Sequence, residues 1–130
     1  MPEKHLYDTR FFIEYFYSTD TKLVNQLKQE LKAVKEKLVS VLTIHEMYRF
    51  DMRYEGKEVA MLRSNIIRTE CMVIGVNFEI AVQSAELRGK YQMPMADSII
   101  AVTALTNGCT LVSDDIHFQR ITNLKTKWCN

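Results

Sequence analysis

The chain has 130 residues, the usual size of one domain, and 47% of them are hydrophobic, which is enough for a packed core. With 17 basic and 16 acidic residues the net charge is +1, so no overall positive field attracts nucleic acid, and a nucleic-acid enzyme would need local basic patches. No apolar stretch reaches the length of a membrane-spanning helix or the core of a signal peptide, which predicts a cytoplasmic protein with no membrane association.

In chain order, the pattern of apolar residues predicts a strand at 5–8, a helix at 9–18, a helix at about 20–36, a strand at 38–43, a helix beginning at His45, a helix at about 58–69, a strand at 71–76, helices at 78–91 and 96–108, and strands at 109–113 and 125–128. Asp20 is a good N-cap residue for the second helix. Gly56 is expected to end or interrupt the third helix, and Gly108 to close the last.

Strands that alternate with helices indicate a mainly parallel sheet of four to five strands, covered by helices on both faces. No linker or internal repeat divides the chain, so residues 1–130 are expected to form a single α/β domain. In parallel sheets the functional groups gather beyond the carboxyl ends of the strands. This rule selects a few candidates from the 16 acidic residues.

Four acidic residues fall near those strand ends. Asp8 follows the first predicted strand directly, and Asp115, behind its neighbour Asp114, follows the fourth. Glu46 is expected in the first turn of the helix after the second strand, and Asp97 opens the helix before the fourth strand. Each acid alone has a structural explanation as a helix cap, a charge favoured by the helix dipole, a turn residue or a surface residue. Their joint placement predicts one acidic site.

Clustered carboxylates raise one another's pKa, so such a site is costly unless a cation neutralises it. Oxygen ligands suit hard cations such as Mg²⁺ or Mn²⁺, which can bind a phosphate and activate water. Other metal chemistry is less well supported. His45 and Glu46 begin like a zinc-metalloprotease motif, but position 49 is Arg rather than His. The three cysteines, odd in number and widely spaced, argue against a disulfide framework or a zinc site.

Several segments resemble the PIN-domain nucleases, most closely the VapC-type toxins of toxin–antitoxin pairs. They are LYDTRFFIE, TIHEMYRF, MADSIIAVTALTNGCTLVSDDIHFQRI and KTKW, and together they extend over nearly the whole chain. The resemblance implies a three-layer α/β/α sandwich and Mg²⁺- or Mn²⁺-dependent cleavage of single-stranded RNA. It also implies a homodimer that a cognate antitoxin inhibits.

Matched by position, Asp8, Glu46, Asp97 and Asp115 correspond to the acidic quartet of the family, with Asp8, Asp97 and Asp115 as the metal ligands. Thr9 matches the hydroxyl residue that usually follows the first acid. Ser113 matches the hydroxyl residue two places before the last acid, and the resemblance implies that it orients that carboxylate or a metal-bound water.

The chain departs from the family pattern at three positions. Arg10 replaces a small polar residue and places a cation near the site, where it is a candidate RNA contact. Asp114 adds a fifth acid, which either supports a metal ligand or points to solvent, and we favour the second reading. His117 takes a place where a further acid is common. These departures keep the quartet and leave the number of metal ions open.

Basic and aromatic residues supply candidates for binding. Arg49 and Arg53 lie three and seven positions after Glu46, on the same helix face, where they either contact RNA phosphates or form a solvated basic face. The aromatic residues within 11–17 are too many for one buried helix face. Some of them are therefore expected at the surface, where they would receive an antitoxin segment or stack on RNA bases. The equally weighted alternative is that neighbouring helices or a second copy of the chain cover them.

The main hypothesis is therefore a metal-dependent endoribonuclease. One alternative is a catalytically weak PIN-fold module that binds RNA or forms complexes, which the intact quartet disfavours. A receiver-like phosphoacceptor domain also places aspartates at strand ends, but it needs an acid pair early in the chain. Here the pair, Asp114 and Asp115, is late, so this reading ranks low.

Overall fold

The computed structural model describes residues 3–129; positions 1, 2 and 130 of the predicted domain lie outside the described residues. The strands are β1 (Lys4–Tyr7), β2 (Glu36–Ser40), β3 (Met72–Ile74), β4 (Thr110–Val112) and β5 (Thr126–Lys127). The helices are α1 (Thr9–Tyr17), α2 (Thr21–Ala33), α3 (Val41–Glu55), α4 (Lys57–Glu70), α5 (Phe78–Tyr91) and α6 (Met95–Thr106), and a 3₁₀ helix spans Ile116–Arg120. Across residues 3–129, no helix is both long and apolar enough to cross a bilayer.

The five strands form one sheet in the order β3-β2-β1-β4-β5, and every described pairing is parallel. The central strand β1 pairs with β2 through Leu6 and Leu38 and with β4 through Tyr7 and Val112. All strands therefore end at the same edge of the sheet. The predicted α/β class and parallel sheet are confirmed.

Side chains alternate along each strand, so both faces of the sheet carry apolar residues, and helices cover both faces. Leu6, Leu38 and Leu111 pack with residues of α6 such as Ile100 on one face. The opposite face, which includes Tyr7, Val39 and Val112, packs against helices α1 to α4. The molecule is a three-layer α/β/α sandwich, as the resemblance implied.

The boundary between β2 and α3 differs from the prediction. The run 38–43 was expected to be one strand, but the strand ends at Ser40 and the helix begins at Val41. The Ser40 hydroxyl accepts a hydrogen bond from the backbone N–H of Leu42, so it caps α3 and allows the β-branched residues that follow to be helical. Glu46 consequently lies in the second turn of α3 and not in the first.

Glycines mark the ends of two helices. Gly56, at φ +93°, is the only residue between α3 and α4, and its N–H donates to the carbonyl oxygens of Asp51 and Met52. This backbone conformation strains any residue with a Cβ, so glycine permits the sharp reversal there. Gly108, at φ +65°, follows α6 as predicted. The predicted termination signals are therefore confirmed.

A buried polar cluster connects α2 to β1 and β5. The Glu30 carboxylate is 7% exposed, and it lies 2.7 Å from Nδ1 of His5, accepts from the hydroxyl of Tyr7 at 2.7 Å and accepts from Nζ of Lys127 at 2.8 Å. Burial alone would raise the pKa of Glu30, but the hydrogen bonds from His5, Lys127 and Tyr7 outweigh it and lower the pKa to about 2. The ionised carboxylate therefore stabilises the packing of α2 and of the edge strand.

Glu30→Gln should lower the free energy of unfolding at pH 7 by about 2–3 kcal/mol, because it leaves buried donors without their charged acceptor. The pKa of Glu30 is depressed from 4.5 to about 2, so its contribution is complete above pH 4.5 and is lost as the pH falls towards 2. The difference from wild type should therefore shrink between pH 7 and pH 3 in urea unfolding. Glu36→Gln, at an exposed glutamate of β2, should change little at either pH. Equal losses from Glu30→Gln at pH 7 and pH 3 would refute this role.

Candidate active site

Asp8 is held at the carboxyl end of the central strand. It follows β1 directly, is 4% exposed, and caps α1 by accepting from the backbone N–H of Thr9 at 2.8 Å. The parallel register that pairs Tyr7 with Val112 continues by one residue, so Ser113 lies beside Asp8 and its hydroxyl donates to Oδ2 at 2.7 Å. Both carboxylate oxygens thus have fixed positions, and each keeps a lone pair for a further partner.

Glu46 reaches the same edge from α3. Its Oε1 accepts a hydrogen bond of 2.6 Å from the hydroxyl of Thr9, the residue next to Asp8. The Thr9 hydroxyl also lies 3.4 Å from that of buried Thr43, one turn before Glu46. Thr9 therefore connects the start of α1 to α3 and keeps the Glu46 carboxylate beside the first acid.

Asp97 and Asp115 complete the acidic group. Asp97 is half-buried in the first turn of α6, and among residues 3–129 no group donates a hydrogen bond to its carboxylate. Asp115 caps the 3₁₀ helix by accepting from the N–H of His117 at 2.9 Å, and Nδ1 of His117 lies 2.7 Å from the same carboxylate oxygen. Asp8 and Asp115 thus both act as helix caps, which is one of the structural roles considered from the sequence. Capping does not prevent either carboxylate from also binding a cation.

The electrostatics show that the four acids share one region. Burial, with a smaller contribution from the negative charges of Asp97 and Glu46, raises the pKa of Asp8 to about 6, although the hydrogen bonds from Ser113 and Thr9 oppose the shift. Burial also raises the pKa of Asp97, together with the charges of Asp115 and Glu46. The predicted quartet is thus brought together, and its charges destabilise one another.

Two of the supporting residues act differently from the prediction. Ser113 was expected to orient the carboxylate of Asp115 or a metal-bound water. In the structure its hydroxyl donates to Asp8 and accepts from the backbone N–H of Asp115. Asp114 was expected to point to solvent, but it forms a two-point ion pair with Arg10, with Nη2 to Oδ2 at 3.1 Å. The parallel pairing of β1 with β4 causes both differences, because it places residues 8–10 beside 113–114.

The donor set suits a hard cation, although the side chains do not form a closed cage. Within the described part of the chain, no three His, Cys, Asp or Glu side chains converge closely enough to hold a metal ion by themselves. Mg²⁺ usually retains several waters and binds through only one or two carboxylates, so an open arrangement of carboxylate oxygens is compatible with it. The mutual repulsion of the acids also favours a cation between them.

An open groove of about 710 Å³ begins at Thr9 and Glu46 and runs along α3. We call it the site groove. Arg49 and Arg53, predicted as RNA contacts, line it and are exposed. The aromatic residues of α1 pack mainly against neighbouring helices, which is one of the alternatives that the sequence left open. The helices packed around α1 bury Phe11 and Phe12 fully and leave the others half-buried.

A model of the PIN domain family matches residues 6–124, which include all four acids. The chain belongs to the PIN domain family. Among curated proteins, none matches it in sequence. The family match covers most of the chain, so the resemblance first seen in short segments is confirmed.

Solved structures share this PIN fold over nearly their whole length. VapBC2 from Rickettsia felis, bound to a promoter DNA fragment, aligns with a TM-score of 0.79 at 20% identity, covering 97% of this chain and 98% of that chain. DNA-bound VapBC from Salmonella typhimurium gives 0.80 at 15% identity, covering 98% and 99%. VapC20 from Mycobacterium tuberculosis, described as a sarcin-ricin loop cleaving toxin, gives 0.75 at 16% identity, covering 89% and 93%. At these identities the likeness establishes the fold alone.

Two features of this PIN domain escaped the sequence interpretation. The contact of Thr43 with Thr9 was hidden because residues 38–43 were predicted to be a strand, whereas the serine N-cap signal at position 40 would have placed Thr43 in a helix. The contact of His117 with Asp115 spans only two residues, a spacing typical of side chains at helix caps.

Asp8→Asn should stabilise the metal-free protein at pH 8. The pKa of Asp8 is raised from 3.8 to about 6, so ionisation costs nothing below pH 3.8 and its full cost is reached above pH 6. A neutral amide removes this cost and loses one hydrogen bond, which leaves a net gain of about 1–2 kcal/mol. Thermal unfolding in EDTA at pH 8 and pH 4 measures the stability of Asp8→Asn relative to wild type. The control is Asp20→Asn, at the exposed N-cap of α2. A gain that is equal at both pH values would contradict the assignment.

Proposed function

We propose that this PIN domain is an endoribonuclease that depends on Mg²⁺ or Mn²⁺ and hydrolyses phosphodiester bonds of single-stranded RNA. The observation that carries the proposal is the meeting of Asp8, Glu46, Asp97 and Asp115 at one edge of the sheet, where burial, together with the charges of the neighbouring acids, raises the pKa of Asp8 and Asp97. A folded protein keeps such a destabilising group of charges where function requires it.

In the proposed reaction, Asp8, Asp97 and Asp115 would hold the cation, in part through water molecules. When bound, the cation supplies charge neutralisation of the scissile phosphate and activation of water. Glu46, oriented by the Thr9 hydroxyl at 2.6 Å, positions the attacking water and accepts its proton. Ser113 keeps Asp8 in place through its 2.7 Å hydrogen bond, which also favours the ionised form of the carboxyl that a metal ligand needs.

Arg residues around the site are proposed to contact the RNA backbone. Arg49 and Arg53 project into the site groove. Arg10 is 53% exposed beyond its ion pair with Asp114, so Asp114 holds this guanidinium at the rim of the acidic site. These cations give local attraction for phosphates in a chain whose net charge is only +1. The proposed place of action is the cytoplasm, where RNA is accessible.

We further propose that the chain is the toxin of a toxin–antitoxin pair. The support is its fold, which it shares with VapBC complexes and with a toxin described as cleaving the sarcin-ricin loop. A second groove of about 690 Å³, the α3–α4 groove, is lined by apolar residues that include Val41, Ile44, Met52 and Met61. It shares Met52 and Arg49 with the site groove, so a bound antitoxin segment could reach the site.

A homodimer is part of the same proposal. The start of α5 and the start of α6 expose apolar side chains, with Phe78 81% exposed, Met95 57% and Val82 44%. Exposed apolar surface of this kind is typical of an interface. A second copy of the chain is the proposed partner for this face, which lies on helices other than the two that form the α3–α4 groove.

The nuclease proposal predicts cleavage of single-stranded RNA by the purified chain with Mg²⁺ or Mn²⁺ and none in EDTA. Asp8→Asn and Asp97→Asn should each lower the rate by about a hundredfold or more, because each removes a charged oxygen from the cation. Asp20→Asn, at the exposed N-cap of α2 and outside the acidic group, is the control for the chemical change. Equal cleavage by all variants would refute the assignment of Asp8 and Asp97 to the nuclease site. Unchanged RNA binding without Mn²⁺ binding or cleavage would instead favour a catalytically weak RNA-binding module.

The antitoxin proposal predicts that Met61→Lys weakens binding of the antitoxin encoded beside this chain by about tenfold or more, because it places a charge in an apolar groove. Met61 is 49% exposed, so the fold should tolerate the change. The matched control is Leu62→Lys, since Leu62 is 60% exposed on the same helix and lies outside the groove. Calorimetry with the co-expressed antitoxin measures both. The proposal fails when Met61→Lys binds no more weakly than Leu62→Lys.

A further inference from the structure

One face of α3 connects the acidic site to an exposed aromatic ring. Glu46, Phe50 and Tyr54 follow one another at intervals of four residues, so they lie on the same side of the helix. Tyr54 stands two turns, or about 12 Å, beyond Glu46. All three residues line the site groove, and the Tyr54 side chain is 60% exposed. Neither the core nor the proposed chemistry uses this ring.

The ring is supported from below by a series of aromatic contacts. The centroids of Tyr54 and Phe50 are 4.7 Å apart, and Phe50 contacts Tyr17 of α1 edge-to-face at 5.0 Å. Tyr17 is itself fixed, because its hydroxyl donates to the buried Asp51 carboxylate at 2.5 Å and the Arg63 guanidinium lies 4.7 Å from its ring centroid. Tyr54 therefore projects from a rigid base into the groove.

The charge around Tyr54 suits a nucleic acid. The Arg53 guanidinium lies 5.6 Å from the centroid of the Tyr54 ring, and Arg49 lines the groove one turn closer to Glu46. Proteins that bind single strands combine a cationic groove with exposed aromatic rings on which bases stack. An apolar protein segment would not use the Arg53 guanidinium, which lies outside the α3–α4 groove, and that groove already offers such a segment a more apolar surface.

We propose that Tyr54, together with Arg53, forms a stacking platform for one base of the RNA strand, two helical turns from the position where Glu46 acts. The platform rests on the proposed single-stranded RNA substrate and assigns Tyr54 a positioning role. By holding a base at a fixed distance from the acids, it determines which phosphodiester bond enters the site. Arg49 contacts the backbone between the two points.

Binding of fluorescein-labelled single-stranded RNA to the full chain in EDTA tests the platform without cleavage. Tyr54→Ala should weaken binding about tenfold, whereas Tyr54→Phe and Tyr54→Trp should bind nearly as well as wild type, because each keeps a flat ring. The matched control is Tyr48→Ala, a tyrosine on the same helix that lines the α3–α4 groove and not the site groove. Thermal unfolding confirms that each variant is folded. Wild-type affinity in Tyr54→Ala overturns the platform, as does an equal loss in Tyr48→Ala.

A second measurement separates stacking from charge. RNA strands with a single abasic nucleotide, moved along the sequence, should bind wild type more weakly at one position and should bind Tyr54→Ala equally at every position. Inorganic polyphosphate, which has charge but no bases, should bind Tyr54→Ala like wild type and Arg53→Ala more weakly. A position-dependent abasic penalty that persists in Tyr54→Ala overturns the proposal.

The outcome is distinguishable from that of the nuclease proposal. Base-dependent binding at Tyr54 with no RNA cleavage by wild type would refute the activity and keep the platform. RNA cleavage by wild type with unchanged RNA binding by Tyr54→Ala would keep the activity and refute the platform. Loss of antitoxin binding in Tyr54→Ala, with RNA affinity unchanged, would assign the ring to a protein partner and also refute it.

Discussion

The buried negative charge of Asp8 is the constraint around which the site is built. Its carboxylate is placed at the end of the central strand, out of water and near two other acids, where ionisation is costly. Among residues 3–129, hydrogen bonds from Ser113 and from the backbone of Thr9 oppose that cost. Both depend on the parallel pairing of β1 with β4 and on the immediate turn from β1 into α1. The backbone thus fixes a carboxylate whose ionisation remains costly.

A second buried carboxylate in the same molecule shows the contrast. Glu30 is nearly as inaccessible as Asp8, yet its pKa is lowered to about 2 because His5, Tyr7 and Lys127 surround it with hydrogen-bond partners. That cluster is complete and stabilises the fold. The hydrogen-bond partners of Glu30 outweigh the cost of its burial, whereas the pKa of Asp8 stays raised, and this difference separates a structural role from the proposed functional one.

Helix α3 determines how the site meets its surroundings. It carries Glu46 at one end and the exposed ring of Tyr54 at the other, and its two sides form the site groove and the α3–α4 groove. Because Arg49 and Met52 line both grooves, occupants of the two grooves would meet on this helix. The proposed RNA and antitoxin would therefore bind to neighbouring surfaces of one rigid element, which Gly56 and the Asp51–Arg63 ion pair hold against α4.

The sequence by itself determined the order of strands and helices and the parallel sheet, because these follow from local periodicity and cap residues. Its short motifs indicated the family and, through that resemblance, selected the four acids of the proposed site. It misplaced the start of α3, since the β-branched run 38–43 favours a strand and only the Ser40 cap favours a helix. The partners of Ser113, Arg10 and Asp114 were decided by the tertiary structure alone. They depend on the register of β1 against β4, which brings together residues about a hundred positions apart. The same holds for Tyr54, whose exposure depends on the packing of α1 against α3 and not on its own sequence neighbours.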